Sequence, residues 1–335
     1  MRAAENVIAE PRISVVIPVY NEESGIEELL ARLTGVLDQL PGGPHEIVFA
    51  DDGSRDRSFA MLEQAAARDP RIIVVALSRN FGHQAALSAA LDYTSGDVIV
   101  PMDADLQDVP ETIPRFLEEY RKGYDVVYAI RVRRKEGIVM RASYAAFYRI
   151  MSYLANIKVP INSGDFCLMS RRVVEELRHT PERHRYLRGL RTWVGFPQTG
   201  IEVERAERFA GQPQYTLRKL LQLAFDGIFA FSVTPLRAAT VVGFSAMGLA
   251  MLVAVYALCV KIFGGDPPPG FTSVILMNIF LAGVQLLFLG IIGEYLGRIY
   301  EEIKRRPHYI VRQVVGRQVL AKPDPETHYD VSSHA

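Results

Sequence analysis

Cysteine is almost missing from this chain: Cys167 and Cys259 are the only two among 335 residues. They lie in segments of very different character, which excludes a disulfide-stapled secreted scaffold. Neither sign of charge is in excess, with 38 Lys and Arg against 38 Asp and Glu. That balance removes the global electrostatic case for nucleic acid. Glycine (25) and proline (19) are too few and too scattered for a fibrous or disordered chain. The opening MRAAENVIAEPR has none of the apolar stretch that a secretory signal needs. Both common nucleotide fingerprints are absent, GxGxxG after the first strand-like run and GxxxxGK[ST] anywhere. No internal repeat is visible.

What the chain does have is apolar sequence concentrated near its C-terminus. Ala238 to Val260 and Gly270 to Gly293 contain no charged residue, and a spanning helix needs about 20 residues to cross the hydrocarbon core. A buried helical hairpin is the alternative, but a soluble hairpin keeps a polar face and these segments have none. Small residues at helix-packing spacing, Ala246/Ala250 and Gly293/Gly297, suit contacts within lipid. The pattern predicts two transmembrane helices within 236–300, joined by the short turn GGDPPPG. Arg218, Lys219 and Arg237 precede the pair, and Arg298, Lys304, Arg305, Arg306 and Arg312 follow it. Positive-inside bias then puts both termini in the cytoplasm, in a multi-pass protein of the inner (cell) membrane. TLRKLLQLAFDGIFAFS, within 216–235, reads as a helix lying at the interface, or as an extension of the first span. Residues 301–335 form a cytoplasmic tail whose end, after Val319, is expected to be disordered.

The first two thirds alternate strand and helix. ISVVIPV, HEIVFAD, RIIVVAL, GDVIVPMD and YDVVYAI are short β-branched runs. Helical stretches separate them, near Ser24–Gln39, Asp56–Ala67, Phe81–Tyr93 and Pro110–Arg121. Such alternation predicts an α/β domain over 1–215 with a doubly wound, mostly parallel sheet. Ligands bind sheets of this kind at the carboxyl ends of the strands. There the first strand runs into Pro18-Val19-Tyr20-Asn21-Glu22-Glu23, the second into Asp51-Asp52-Gly53-Ser54, and the fourth into Asp103-Ala104-Asp105-Leu106-Gln107-Asp108. Two carboxylates two residues apart at a strand end can converge on one hard cation. A cation bridging two phosphates would replace the missing glycine-rich cradle. A single DxD is common in surface turns; three acidic clusters at three ligand-facing strand ends are a much stronger signal.

IPVYNEE, ADDGSRD, SRNFGHQAAL and PMDADLQD together resemble glycosyltransferase family 2, with its GT-A fold. SGDFCLMSRR, YLRGLRTWVGF and RFAGQPQYTLRKLLQLAFDGI narrow the resemblance to polyprenyl-phosphate glycosyltransferases, the group of bactoprenol glucosyltransferases and dolichol-phosphate mannose synthases. The likeness runs from about Ile13 to Val315. It implies a nucleotide-sugar edge formed by Pro18, Tyr20, Glu22, Ala50, Asp52 and Ala104, with Arg208 near the donor diphosphate. Asp52 would accept a hydrogen bond from the base, Asp51 could exchange roles with it, and a helix cap is the plainer role for Asp52. The resemblance further implies Mg²⁺ or Mn²⁺ on Asp103, Asp105 and Gln107, with Asp108 as a helix-start residue. Arg131 and Arg141 would face the acceptor phosphate, since guanidinium forks onto phosphate better than any other cation. Arg133, Arg134 and Lys135 read as solvated or headgroup-facing. Asp165 would be the catalytic base of an inverting displacement, or would only order or align its surroundings.

Three positions depart from the pattern: Gln214 stands where lysine is usual, Pro213 where a hydroxyl residue is usual, and His83 where lysine is common. His83 is expected to be a helix-start residue. Together these readings imply transfer of one sugar, UDP-glucose first among donors, onto a polyprenyl phosphate at the cytoplasmic face by a homo-oligomer that binds no nucleic acid. A processive polysaccharide synthase would need more helices and a QxxRW motif, and a non-catalytic sensor of nucleotide sugars would not keep Asp103, Asp105, Arg131 and Arg141.

Overall fold

The computed structural model describes residues 7–131, 163–180, 182, 187–203, 234–263 and 270–316. They fall into two compact units, one holding a sheet with its flanking helices and the other holding two long helices. Strands β1 (Ile13–Val19), β2 (Glu46–Asp51), β3 (Ile72–Leu77) and β4 (Val98–Pro101) are buried at every residue. Burial on both faces is why they read as continuous β-branched runs and not as alternating ones. The crossovers are α1 (Ile26–Leu37), α2 (Ser58–Arg68) and α3 (His83–Asp92). α1 buries Ile26, Leu29, Leu33 and Leu37, the three-and-four spacing of one apolar stripe. After a 3₁₀ turn at Pro110–Thr112, α4 (Ile113–Arg121) leads into β5 (Val126–Arg131).

Three further strands complete the sheet: β6 (Ser163–Ser170), β7 (Gln198–Val203) and β8 (Val311–Val315). The order is β7-β5-β6-β4-β1-β2-β3-β8. β3, β2, β1 and β4 are parallel, as the alternation predicts. Outside that block the sheet is mixed, because β6 lies antiparallel between β4 and β5, and β8 lies antiparallel on β3. β7 runs parallel to β5. None of these three strands was expected: SGDFCLMS and QTGIEV carry too many polar residues to read as buried runs, and β8 is a partly exposed edge. β8 draws 311–315 out of the stretch expected as a tail. The backbone N–H of Ser78 donates to Ile310 O at 2.8 Å, and the Tyr309 hydroxyl donates to the Asp92 carboxylate. Helices α5 (Arg171–His179) and α6 (Leu187–Trp193) lie between β6 and β7 in the chain.

The second unit holds α7 (Thr234–Ile262) and α8 (Phe271–Ile303). Phe244, Met251, Leu252, Phe280, Leu286 and Leu289 are all exposed on them, the reverse of α1. By length and composition, Leu236–Val253 and Met277–Ile303 can each cross a membrane. α8 continues beyond its uncharged stretch, and there Arg298 pairs with Glu294 one turn earlier at 2.9 Å. Most of the expected interfacial helix, most of the turn between the spans, and the residues after Gly316 lie outside the described residues.

Candidate active site

Backbone pairing brings three strand ends together. Pro18 pairs with Ala50 and Val19 with Asp51 across β1 and β2. The N–H of Asp52 donates to Val19 O at 2.8 Å, and that of Met102 to Val16 O at 3.0 Å. The three acidic segments therefore leave the sheet side by side at its carboxyl edge, where an open α/β sheet binds ligands.

The loops after β1 and β2 are joined by side-chain oxygens that accept from main-chain amides. The N–H of Asn21 donates to Ser54 Oγ at 3.1 Å, that of Arg55 to Asn21 Oδ1 at 2.8 Å, and that of Glu22 to Ser58 Oγ at 2.9 Å. Gly53 makes the turn possible. Its φ is +69°, and a Cβ there would lie 2.7 Å from the carbonyl carbon of Arg79. Asp52 is buried, and its oxygens accept the N–H groups of Phe81 at 2.7 Å and Gly82 at 2.9 Å. It thus caps the entry to α3, not the helix that follows β2. Burial raises the Asp52 pKa above the ordinary carboxylate value despite those two amides. Each oxygen keeps a second lone pair for a nucleoside base.

After β4, burial alternates: Met102, Ala104, Leu106 and Asp108 are buried, while Asp103, Asp105 and Gln107 are half-exposed. The three residues expected to hold a cation therefore share the accessible side of the segment. Asp108 is not simply a helix-start residue; its carboxylate accepts the N–H of Asp103 at 3.2 Å and shapes the loop. Asp105 Oδ1 accepts the N–H of Gln107 at 3.1 Å. Gln107 Oε1 is buried with no hydrogen-bond partner among the described residues, an orphan that a cation would satisfy. Among the described residues no group of three or more His, Cys, Asp or Glu gathers as metal ligands. The fitting set is two carboxylates and a carboxamide oxygen, the few-ligand arrangement by which Mg²⁺ is held together with substrate phosphates.

β6 brings the fourth acid. It pairs Val98 with Ser170 and Ile99 with Met169, and Asp165 lies further along the same strand, toward its start. Phe166 points to the other face, where its ring meets Phe116 edge-on at 4.9 Å between centroids. The Asp165 side chain is only 10% exposed. Arg188 on α6 forks onto it, Nε to Oδ1 at 2.8 Å and Nη2 to Oδ2 at 3.0 Å. His83, the first residue of α3, sets Nε2 3.7 Å from Asp165 Oδ2 and 3.7 Å from Asp103 Oδ1. Burial opposes the charged form of Asp165, but Arg188 and His83 outweigh it and hold its pKa well below the usual carboxylate range. Burial likewise pulls His83 down, and the carboxylates of Asp165 and Asp103 more than compensate, so its pKa is raised. Arg191, one turn beyond Arg188, is buried over the Tyr128 ring at 5.4 Å, and its Nε and Nη2 lack partners.

The structure thus brings Asp103 and Asp165 together through His83 and sets Asp52, Asp105 and Gln107 on the same sheet edge. Pro18, Ala50 and Ala104 are backbone and packing positions at that edge, Tyr20 is exposed and Glu22 half-exposed. Arg131 ends β5 opposite Val203. Arg141, Arg208, Pro213, Gln214 and the loop cations Arg133, Arg134 and Lys135 lie outside the described residues. Sequence reasoning passed over Arg188 and gave His83 only a helix-start role. The available signal for Arg188 was a pair of arginines three apart in YLRGLRTW, which share one helical face.

An eight-stranded mixed sheet with acids at its carboxyl edge is a framework for binding a ligand there. Residues 14–178 match glycosyl transferase family 2. An uncharacterized glycosyltransferase of Bacillus subtilis is 45% identical over 304 residues, covering 90% of this chain and 94% of that protein. The bactoprenol glucosyl transferase of Shigella phage SfX is 39% identical over 302 residues, covering 90% and 99%. A prophage bactoprenol glucosyl transferase homolog of Escherichia coli K12 is 38% identical over 304 residues, covering 90% and 99%. Among solved structures, a mannosyltransferase from Pyrobaculum calidifontis in complex with GDP-Man and Mn²⁺ aligns with a TM-score of 0.48 at 18% identity, covering 88% and 87%. The chain belongs to glycosyltransferase family 2.

Proposed function

We propose that the protein transfers one sugar, glucose from UDP-glucose as first choice, onto a polyprenyl phosphate such as undecaprenyl phosphate at the cytoplasmic face of the membrane, with inversion at the anomeric carbon. The observation that carries this reading is the sheet edge where Asp52, Asp103, Asp105 and Gln107 lie beside the Asp165–His83–Arg188 cluster, in a chain that also has two helices able to span a bilayer. The bactoprenol glucosyl transferases, similar along nearly their whole length, support the acceptor class and the sugar.

The donor's nucleoside lies along Pro18, Tyr20, Glu22, Ala50, Asp52 and Ala104, with Arg208 toward its diphosphate. Asp103, Asp105 and Gln107 hold Mg²⁺ or Mn²⁺. When bound, that cation supplies positive charge against the departing diphosphate. Arg131 and Arg141 bind the acceptor phosphate, and Asp165 lies beside the reacting atoms. Residues 1–215 form the cytoplasmic catalytic domain, 216–235 lie at the interface, and the helical hairpin within 236–300 anchors a homo-oligomer in the inner membrane.

Two experiments test this. Purified protein is given a polyprenyl phosphate, Mg²⁺ or Mn²⁺ and each nucleotide sugar in turn. Formation of a polyprenyl-phosphate sugar is expected with UDP-glucose, and product from another donor would move the donor assignment. For topology, a cysteine placed in the Gly264–Gly270 turn should label with an impermeant reagent in intact cells. Protection of the turn, with labelling at the termini, would reverse the orientation.

A further inference from the structure

We propose that Arg188 is a positioning residue for this reaction: it takes both oxygens of Asp165, aims that carboxylate at His83, and withdraws it from proton transfer, so that the sugar moves without a general base. The inference rests on the reading of the chain as a polyprenyl-phosphate glycosyltransferase.

The geometry is that of a bidentate fork on a nearly buried carboxylate, with N–O distances of 2.8 and 3.0 Å. A general base must present a free lone pair within about 2.6–3.2 Å of the proton it removes. In Asp165 the fork takes one lone pair on each oxygen, and pairing with a guanidinium makes the carboxylate a poor proton acceptor; Oδ2 also faces His83 at 3.7 Å. The groups around it are Arg188 and Arg191 on α6, His83 on α3, Asp103 after β4, and Cys167 two residues along β6. The placement follows from register: Arg188 and Arg191 are one turn apart on α6, facing Asp165 and Cys167 on one side of β6.

The chemistry agrees. A phosphate monoester has its second pKa near 6, so at pH 7 the acceptor oxygen is already largely ionised. That oxygen forms the new bond to the anomeric carbon. The bond from that carbon to the donor diphosphate breaks, and its electron pair leaves with the nucleoside diphosphate. The negative charge lost by the acceptor phosphate appears on the released diphosphate, and no proton is left over. A base would have nothing to remove. Asp165 is instead the fixed anion on which Arg188 and His83 are held beside the reacting centre.

The test uses full-length protein in lipid nanodiscs, as wild type, Arg188→Gln, Arg188→Lys, Asp165→Asn and the Arg188→Gln/Asp165→Asn double variant. Transfer is followed from about pH 6 to about pH 9, across and above the phosphate ionisation. Arg188→Gln should lose kcat on the order of 10²-fold with donor KM unchanged, and Arg188→Lys should regain part of the loss. The Asp165→Asn loss should be the same at every pH above about 7, and the double variant should be no worse than the weaker single, because the pair acts as a unit. The inference is overturned if Arg188→Gln keeps wild-type kcat, if the Asp165→Asn loss shrinks as pH rises, or if the two losses multiply. Should the wild type itself transfer no sugar from any donor, the functional reading fails and the melting temperatures of the same proteins decide the pairing. Non-additive shifts support the fork, and additive ones overturn it.

Discussion

The two sides of the candidate site are fixed by different means. On the side proposed for the donor, after β1, β2 and β4, the loops are pinned by side chains that accept from main-chain amides: Asp52 from Phe81 and Gly82, Asp108 from Asp103, Asn21 from Arg55. Asp103, Asp105 and Gln107 stand on the accessible side of a loop that the buried Met102, Ala104 and Leu106 anchor. On the β6 side the geometry rests on side-chain charge, a carboxylate between a guanidinium and an imidazole. A loop pinned at several main-chain amides can lose one half-exposed side chain and keep most of its shape. A charge-held site loses shape and chemistry together, because removing one member of a buried pair strands the other.

The largest test of that contrast is Asp105→Ala. Transfer should fall by about 10³-fold or more, the scale of several kcal/mol of charge stabilisation at the departing diphosphate. The melting temperature should stay within about 2 °C of wild type, as befits a substitution outside the core. A large melting loss would show that the bond from the Gln107 amide to Asp105 is what orders this loop, and full wild-type activity in excess chelator would refute the metal assignment.

Arg131→Lys comes next. It keeps the charge and loses the fork, so kcat/KM for the polyprenyl phosphate should fall by about tenfold while the donor KM holds. Unchanged acceptor kinetics would place Arg131 elsewhere. Asp52→Asn replaces a carboxylate that accepts two amide hydrogen bonds by a group with only one acceptor oxygen. A destabilisation of about 1–2 kcal/mol is expected, read as a lower melting temperature. If melting is unchanged, Asp52 is not what orders the entry to α3.

The smallest effect is in pH. The Asp165 carboxylate has a depressed folded pKa, so its stabilising contribution is fully present above the unfolded value of about 3.9 and is lost only as pH falls further. The melting difference between wild type and Asp165→Asn should therefore hold from about pH 6 to about pH 5, shrink below about pH 4, and also shrink at alkaline pH, where His83 loses the proton that Asp165 favours. A difference that shrinks already near pH 6 would mean that the fork is not formed in solution.

Much of the fold was legible because its signals are local. ISVVIPV, EIVFAD and IIVVAL are continuous apolar runs since the crossover helices of a parallel block cover both faces, and α7 and the uncharged stretch of α8 are apolar all round with no polar face to turn outward. The acidic clusters declared themselves by position alone, at the ends of such runs. β6, β7 and β8 were not legible, because a strand that mixes Ser, Gly, Asp, Gln or Arg with apolar residues is specified by its neighbours and not by its own pattern. His83 was assigned to a helix start for the same reason, since Asp103 and Asp165 lie on other segments, whereas Asp108 accepts from Asp103 within its own loop, where no periodic pattern signals the contact.

By itself, then, the sequence determined the parallel block, the acids at its carboxyl edge and the two long apolar helices, because each is written within a span of residues that touch one another along the chain. Tertiary structure alone decided that β6 enters antiparallel beside β4, that His83 stands between Asp165 and Asp103, and that Arg188 closes on Asp165 from 23 residues away. Those contacts depend on strand order and register. Periodicity is blind to both, because a hydrophobic pattern says which face of a segment is buried but not which neighbour buries it.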